Sequence, residues 1–430
     1  MTASRRKAAW TRRGAAWAFT LCLAGRALAV EPAPTGSPSR GVNAPEHLDK
    51  PVVILVSVDG YRWDYPDLYP TPAIDRLVRS GVRGERLLPV FPTLTFPNHY
   101  TLVTGVAPSR HGIVGNEFPD GDRRYALRDR SAVEDGSYYR GAPLWNLAEF
   151  QGMVAACFFW VGSEAAIQGV RPTHWRRYDE DIPNDARVDQ VLAWAAEPPE
   201  TRPRLITLYF SDVDSWSHYR GVGSEGFHSA LTRVDQALGR LLDGIEALPH
   251  ADEVYLLLVS DHGQTAYRDE PPFLLADHVS LEGLDLVDQG PAVYAWQASP
   301  DPEAAERLAE TINGRWLHGR AYTRRTAPES WGLADNPRHP DLVFQANAGF
   351  AVLSSSDRSR AMSVGDHGWA PEAPDMHGIF LARGPGIAPG ERVGPVDARA
   401  VYPLVAGWLG LEIPATVTTE APRLPAEAGP

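Results

Sequence analysis

The sequence predicts an α/β protein: a mostly parallel central sheet with helices on both faces. Two observations predict it. Runs of apolar, largely β-branched residues recur at 52–58, 153–160, 205–210, 254–260 and 379–382, each near-continuous, as strands buried on both faces are. Helical patterns stand between them at 71–79, 185–196 and 224–248, and strands alternating with helices form a parallel sheet covered on both sides.

In chain order, residues 1–29 read as an export signal. Arg5, Arg6, Lys7, Arg12 and Arg13 precede an apolar run over 15–25, and Ala27-Leu28-Ala29 offers a small-residue cleavage site. The run is too short to span a bilayer. Arg12-Arg13 also suits twin-arginine export, so both routes stay open. Cys22 follows Phe19-Thr20-Leu21, which is no lipobox. The expectation is an exported bacterial protein, periplasmic or secreted, with no membrane anchor. Residues 30–50, rich in Pro, Gly and Ser, read as a linker. One large domain follows over 51–415, with 265–360 the least regular part and read as an inserted or capping region. Residues 416–430 are a tail, and no repeat of 20–50 residues is found.

Removing the signal takes six basic and no acidic residues, leaving 35 basic against 54 acidic. So acidic a chain is a poor partner for nucleic acid or anionic membrane, which need basic patches; a small phosphorylated substrate, met locally by metal, is compatible. Outside the signal the only cysteine is Cys157, in the 153–160 run, which excludes an intramolecular disulfide and reads as a buried, inert thiol.

In sheets of this kind ligands gather beyond the carboxyl ends of the strands. Asp59 closes the first run. Asp214 and His218 follow the 205–210 run at a spacing that puts both on one side of a helical turn. Asp261 and His262 close the 254–260 run, and His367 lies before the last. A single such Asp or His is usually a turn, cap or structural residue; six at strand ends point to metal. Two divalent ions about 4 Å apart can hold the attacking and leaving oxygens of a displacement at phosphorus, and carboxylates with imidazoles but no thiolate suit zinc. Thr95, in Thr95-Phe96-Pro97-Asn98-His99, reads locally as a helix cap. Beside a metal the same hydroxyl would ionise near neutral pH and need no partner base.

The segments Ser57-Val58-Asp59-Gly60, Phe91-Pro92-Thr93-Leu94-Thr95-Phe96-Pro97-Asn98-His99-Tyr100, His111-Gly112-Ile113-Val114-Gly115-Asn116, Phe159-Trp160-Val161-Gly162-Ser163-Glu164-Ala165 and Ser260-Asp261-His262-Gly263 resemble the nucleotide pyrophosphatase/phosphodiesterase family of the alkaline phosphatase superfamily. The likeness runs from about residue 51 to 414 and weakens between 265 and 360. It implies an alkaline-phosphatase-like fold and two zinc ions, one held by Asp59, Thr95, Asp261 and His262, the other by Asp214, His218 and His367. It makes Thr95 the nucleophile of a covalent intermediate that water hydrolyses. Asn116, with the backbone N–H of Phe96, would bind a phosphate oxygen, and Phe96 and Tyr209 would sandwich a nucleobase.

The chain departs from the family at Ser217, where glycine is usual, and at Trp369-Ala370-Pro371, which bears on the substrate-facing loops. His99, His111 and His377 read as structural, since seven ligands fill two sites; Asp366 is either a partner to a ligand or a solvated loop acid. The glycines of 221–226 read as a loop and helix cap, not a dinucleotide site. The resulting expectation is a zinc phosphodiesterase releasing nucleoside 5′-monophosphates. The alternatives are a lipid-headgroup or choline phosphodiesterase, a phosphomonoesterase or phosphonate hydrolase of the superfamily, and a metal-dependent binding protein. A binding protein has no need of Thr95.

Overall fold

Each of the five apolar runs forms a strand. In the computed structural model, which describes residues 38–357 and 363–427, they lie at Val52–Val58, Ala155–Phe158, Leu205–Phe210, Val254–Val259 and Phe380–Arg383. Among the described residues the central sheet has eight strands. Their order is Glu391–Val393, Val82–Gly84, Phe380–Arg383, Val254–Val259, Val52–Val58, Leu205–Phe210, Ala155–Phe158 and His174–Trp175. All pairings are parallel except the two made by Phe380–Arg383.

Successive side chains of a strand point to opposite faces, and here both faces are dry. Val53 and Leu55 enter a core shared with the helices Thr95–Thr104, Leu144–Phe150 and Val401–Leu409. Val52, Ile54, Val56 and Val58 enter a second core, beneath Pro72–Ser80, Asn184–Ala195 and Glu225–Glu246. This is why the run shows no polar alternation. Cys157, fully buried, has its thiol pushed up by burial, which keeps it protonated and unreactive.

Register then places the chemistry. Val58 pairs with Phe210 and Ser57 with Val259, so the carboxyl ends of three parallel strands finish level, and Asp59, the 211–218 segment and Asp261-His262 emerge at one edge. His367 reaches that edge for the opposite reason. Phe380–Arg383 is antiparallel, with Phe380 paired to Val259, so the chain that enters this strand arrives where its neighbours leave.

Of the 265–360 region, residues 265–357 are described, and they are more regular than their sequence suggests. They hold an antiparallel sheet ordered Leu284–Asp288, Ala292–Gln297, Leu342–Ala346 and Gly319–Thr323. The helix Pro302–Asn313 packs on it over a core that includes Val293, Ile312, Phe344 and Trp369. The outer strands, Leu-Asp-Leu-Val-Asp and Gly-Arg-Ala-Tyr-Thr, are only half buried, which left no apolar run to read. In the stretch read as a linker, Asn43 is buried and its Nδ2 donates to the carbonyls of Pro199 and Arg202. In the tail, Ala426 bridges to Ile387. The expected export signal over 1–29 lies outside the described residues, among which no helix is long and apolar enough to cross a membrane.

Candidate active site

Thr95 is the first residue of the helix Thr95–Thr104, and Leu94 is its N-cap. The threonine is therefore not the cap that its local sequence suggests. Its Oγ1 instead lies 3.4 Å from His262 Nε2, because the end of the Val254–Val259 strand stands opposite. A first helical turn leaves its N–H groups without intrahelical partners. Here Phe96 N–H donates to Asn116 Oδ1 at 3.0 Å, Pro97 has none, and Asn98 N–H donates to Leu94 O. The Phe96 N–H that the resemblance assigns to phosphate is thus engaged with Asn116, whereas the Thr95 N–H donates to no backbone carbonyl among the described residues. Since an N–H can donate only to the amide oxygen, the same contact leaves Asn116 Nδ2 as the outward donor.

Beside Thr95, His262 Nε2 stands 2.9 Å from Asp261 Oδ2 and 3.5 Å from Asp59 Oδ1. His262 Nδ1 lies 3.1 Å from Gly263 O; donating there, it leaves the Nε2 lone pair facing the carboxylates. Across the cleft, Asp214 Oδ1 is 3.3 Å from His218 Nε2 and 3.7 Å from His367 Nε2. His367 Nδ1 lies 2.8 Å from Thr93 O, again turning Nε2 inward. The imidazoles of His262 and His367 stack at 3.7 Å, so the two clusters are adjoining halves of one site. All seven expected ligands converge here.

The donors suit metal. Asp59, Asp261 and His262 form a group with ligand atoms mutually within 4.8 Å, as do Asp214, His262 and His367, and His218, Asp366 and His367. Asp59 Oδ1 is buried and accepts no hydrogen bond, a costly state for a carboxylate oxygen that a cation would relieve, and the buried Asp261 Oδ2 faces the imidazole nitrogens of His262 and His99. Without metal, protons compensate. Burial opposes charge on His218 and His262, but Asp214 and Asp261 respectively hold them up to about 10 and about 9. Burial and His262 push His367 down to about 3, leaving it neutral.

Around the ligands, His99 is fully buried, its Nε2 2.8 Å from Ser57 Oγ and its Nδ1 3.0 Å from Thr95 O and 3.2 Å from Asp261 Oδ2. It orients Asp261 and does not face the cleft. His111 Nε2 meets Thr101 Oγ1, and His377 Nε2 meets Pro371 O; both are structural. Ser217 leaves the helix Asp212–Arg220 intact, because it packs against Gly365, where a Cβ would come within 2.8 Å of its Oγ. Ser224 caps the following helix by accepting from Phe227 N–H. Trp369 is fully buried, and its carbonyl accepts from Thr93 Oγ1.

A cleft of about 430 Å³ opens over the clusters, lined by Thr95, Phe96, Asn116, Tyr178, Tyr209 and His367 among others. Tyr209 donates its hydroxyl to Asp59 Oδ2 at 2.7 Å, and its ring packs 5.2 Å from His99. The exposed aromatic on that wall is Tyr178, 37 % accessible and 6.1 Å from Tyr209. Sequence reasoning missed it, because it sits in a polar loop with no pattern around it. Phe159, against which Tyr178 packs at 5.1 Å, adopts φ +63, a strained conformation for a bulky residue. Gln264 was also missed. Fully buried, it donates its amide to Asp214 Oδ1.

A family model, type I phosphodiesterase/nucleotide pyrophosphatase, matches residues 53–370. The chain belongs to this family. It is 30% identical over 386 residues to ectonucleotide pyrophosphatase/phosphodiesterase family member 3 of Mus musculus, covering 87% of this chain and 44% of that protein. To venom phosphodiesterase of Naja atra it is 30% identical over 383 residues, 87% of this chain and 46% of the other. It thus spans less than half the length of these family members. The fold matches that of murine ectonucleotide pyrophosphatase/phosphodiesterase 5, solved as an inactive variant in complex with AMP. The TM-score is 0.78 at 27% identity, over 85% of this chain and 96% of that one. The family's mixed α/β fold, with its large central sheet, is the one described above.

Proposed function

We propose that the protein is an exported phosphodiesterase that hydrolyses nucleotide pyrophosphate or phosphodiester bonds through a covalent threonine intermediate and releases nucleoside 5′-monophosphates. One observation carries the reading. The Thr95 hydroxyl, at a helix N-terminus, faces His262, whose same nitrogen stands beside the buried carboxylates of Asp59 and Asp261, instead of capping its helix.

Asp59, Thr95, Asp261 and His262 would hold one zinc ion, and Asp214, His218 and His367 the other. When bound, the ions supply Lewis-acid charge that eases ionisation of the threonine hydroxyl and the departure of the leaving oxygen. Thr95 Oγ1 then bonds to phosphorus as the bond to the leaving oxygen breaks, and water later displaces Oγ1 to regenerate the hydroxyl. Thr95 N–H and Asn116 Nδ2 donate to the non-bridging oxygen as its charge grows, helped by the positive end of the Thr95–Thr104 helix. The nucleobase lies between Phe96 on one wall and Tyr178, backed by Tyr209, on the other. The AMP bound in the murine neighbour supports a small nucleotide substrate.

The test compares initial rates on a nitrophenyl nucleotide diester, nitrophenyl phosphate and nitrophenyl phosphorylcholine. The nucleotide diester is expected to be turned over fastest. Preference for the monoester would refute the diesterase chemistry, and preference for the choline ester would refute the nucleotide pocket while leaving that chemistry standing.

A further inference from the structure

Behind the second ligand cluster lies a partly buried chain of polar groups in which Tyr267 and Asp366 have no role in the mechanism above. Tyr267 Oη donates to Asp366 Oδ2 at 2.7 Å. Asp366 Oδ1 accepts the backbone N–H of His367 at 2.9 Å and stands 3.5 Å from His218 Nδ1, which also meets Ser363 Oγ at 3.1 Å. One carboxylate therefore touches both imidazole ligands of the cluster, the backbone of one and the ring of the other. Its free oxygen is pinned by a phenol.

Local structure leaves this carboxylate little freedom. Thr265–Ala266 pairs antiparallel with Gly365–Asp366, which fixes Asp366 beside the first residues of the 265–360 region. The Tyr267 ring packs 5.3 Å from Trp369. Gly290, at φ +78, approaches so closely that a Cβ there would lie 2.2 Å from Tyr267 Oη and 3.1 Å from Asp366 Oδ2. Gly290 lies in the turn between the first two strands of the inserted sheet, Leu284–Asp288 and Ala292–Gln297, so the pair is walled by that sheet on one side and the ligands on the other.

A carboxylate behind a ligating imidazole fixes its orientation and raises the basicity of the opposite nitrogen, typically worth about 10–100-fold in metal affinity. We propose that Tyr267 and Asp366 are positioning residues for the metal site of Asp214, His218 and His367, and that through them the 265–360 region supports that site. The proposal rests on the two-metal reading above. Asp366 holds His218 with Nε2 toward Asp214 and holds the His367 backbone in place, and Tyr267 keeps Asp366 from turning away.

The experiment measures zinc affinity and stoichiometry of the full chain by competition with a chromophoric chelator, for wild type, Tyr267→Phe and Asp366→Asn. It also measures kcat and KM on the nitrophenyl nucleotide diester and the melting temperature of each metal-free protein. Tyr267→Phe removes one hydroxyl and keeps the ring, so it serves if Asp366→Asn fails to fold. The expected result is one ion weakened by about 10-fold or more, the other held as in wild type, and kcat lowered with KM nearly unchanged. Affinities for both ions within twofold of wild type would overturn the proposal, as would a loss shared equally by both ions alongside a lower melting temperature, which marks a merely structural role. Wild type binding fewer than two ions would instead count against the two-metal reading. The positioning proposal would still be judged on whether the variants bind the remaining ion as wild type does.

Discussion

At the scale of single residues, Thr95 shows how position converts an ordinary side chain. Its hydroxyl faces a cluster of ligands and its own N–H is the unengaged donor of the first helical turn. Replacing it by alanine is expected to lower diesterase kcat by about 10³-fold or more, as loss of a nucleophile does, with the melting temperature unchanged; turnover close to wild type would remove Thr95 from the mechanism. Asn116→Ala should cost about 10²-fold in kcat with little change in KM, the signature of an oxyanion donor. Tyr178→Ala should act on binding, raising KM for the nucleotide diester by the equivalent of about 1–3 kcal/mol of lost stacking, while leaving the choline ester untouched. The ligand histidines give a pH signature. His218 and His262 stay protonated without metal up to about 10 and about 9, so zinc must displace their protons. Below those values zinc affinity is expected to fall as pH falls, by about tenfold per unit for each proton displaced, and calorimetry in buffers of different ionisation enthalpy should detect the released protons.

At the scale of elements, the site depends on how closely the helix Asp212–Arg220 approaches the Gly365–Asp366 strand. A Cβ at Gly365 would meet Ser217 Oγ at 2.8 Å and Ser217 O at 3.0 Å. Gly365→Ala is therefore expected to push the helix outward, taking Asp214 and His218 with it, at a cost of about 1–3 kcal/mol. Thermal denaturation and kcat should fall together; an unchanged kcat would mean that the ligands tolerate the shift. Element-level features were legible to different degrees. The Val52–Val58 strand and the Glu225–Glu246 helix were read within a residue or two, because a strand buried on both faces and a long amphipathic helix each impose a pattern along the chain. The inserted sheet was not, since its outer strands are half exposed and one of them, Gly319–Thr323, pairs with residues 19 to 27 positions further along the chain. Tyr178 and Gln264 escaped for the same reason: each acquires its role by facing a residue that is distant in sequence.

At the scale of the whole molecule, three level strand ends, one helix N-terminus and one strand running the other way bring the seven proposed ligands from five segments of the chain to a single edge. Metal binding should therefore report on the entire fold. With zinc at about 1,000 times its dissociation constant the folded state gains about 4 kcal/mol, so chelation is expected to lower the melting temperature by several degrees, and re-addition of zinc to restore it. Identical melting curves with and without chelator would argue that the clusters hold no metal in solution.

The sequence by itself determined the sheet, because burial on both faces demands continuous apolar runs, and it determined the composition of the site, because metal and phosphorus chemistry demand particular residue types at strand ends. Only the tertiary structure decided which donors are free. It moved the cap from Thr95 to Leu94, turned Phe96 N–H to Asn116, tied Tyr209 to Asp59 while leaving Tyr178 exposed, and set Asp366 behind His218 and His367. A hydrogen bond engages whichever partner lies within about 3 Å, and contacts at that range between distant segments arise only once the sheet has aligned them.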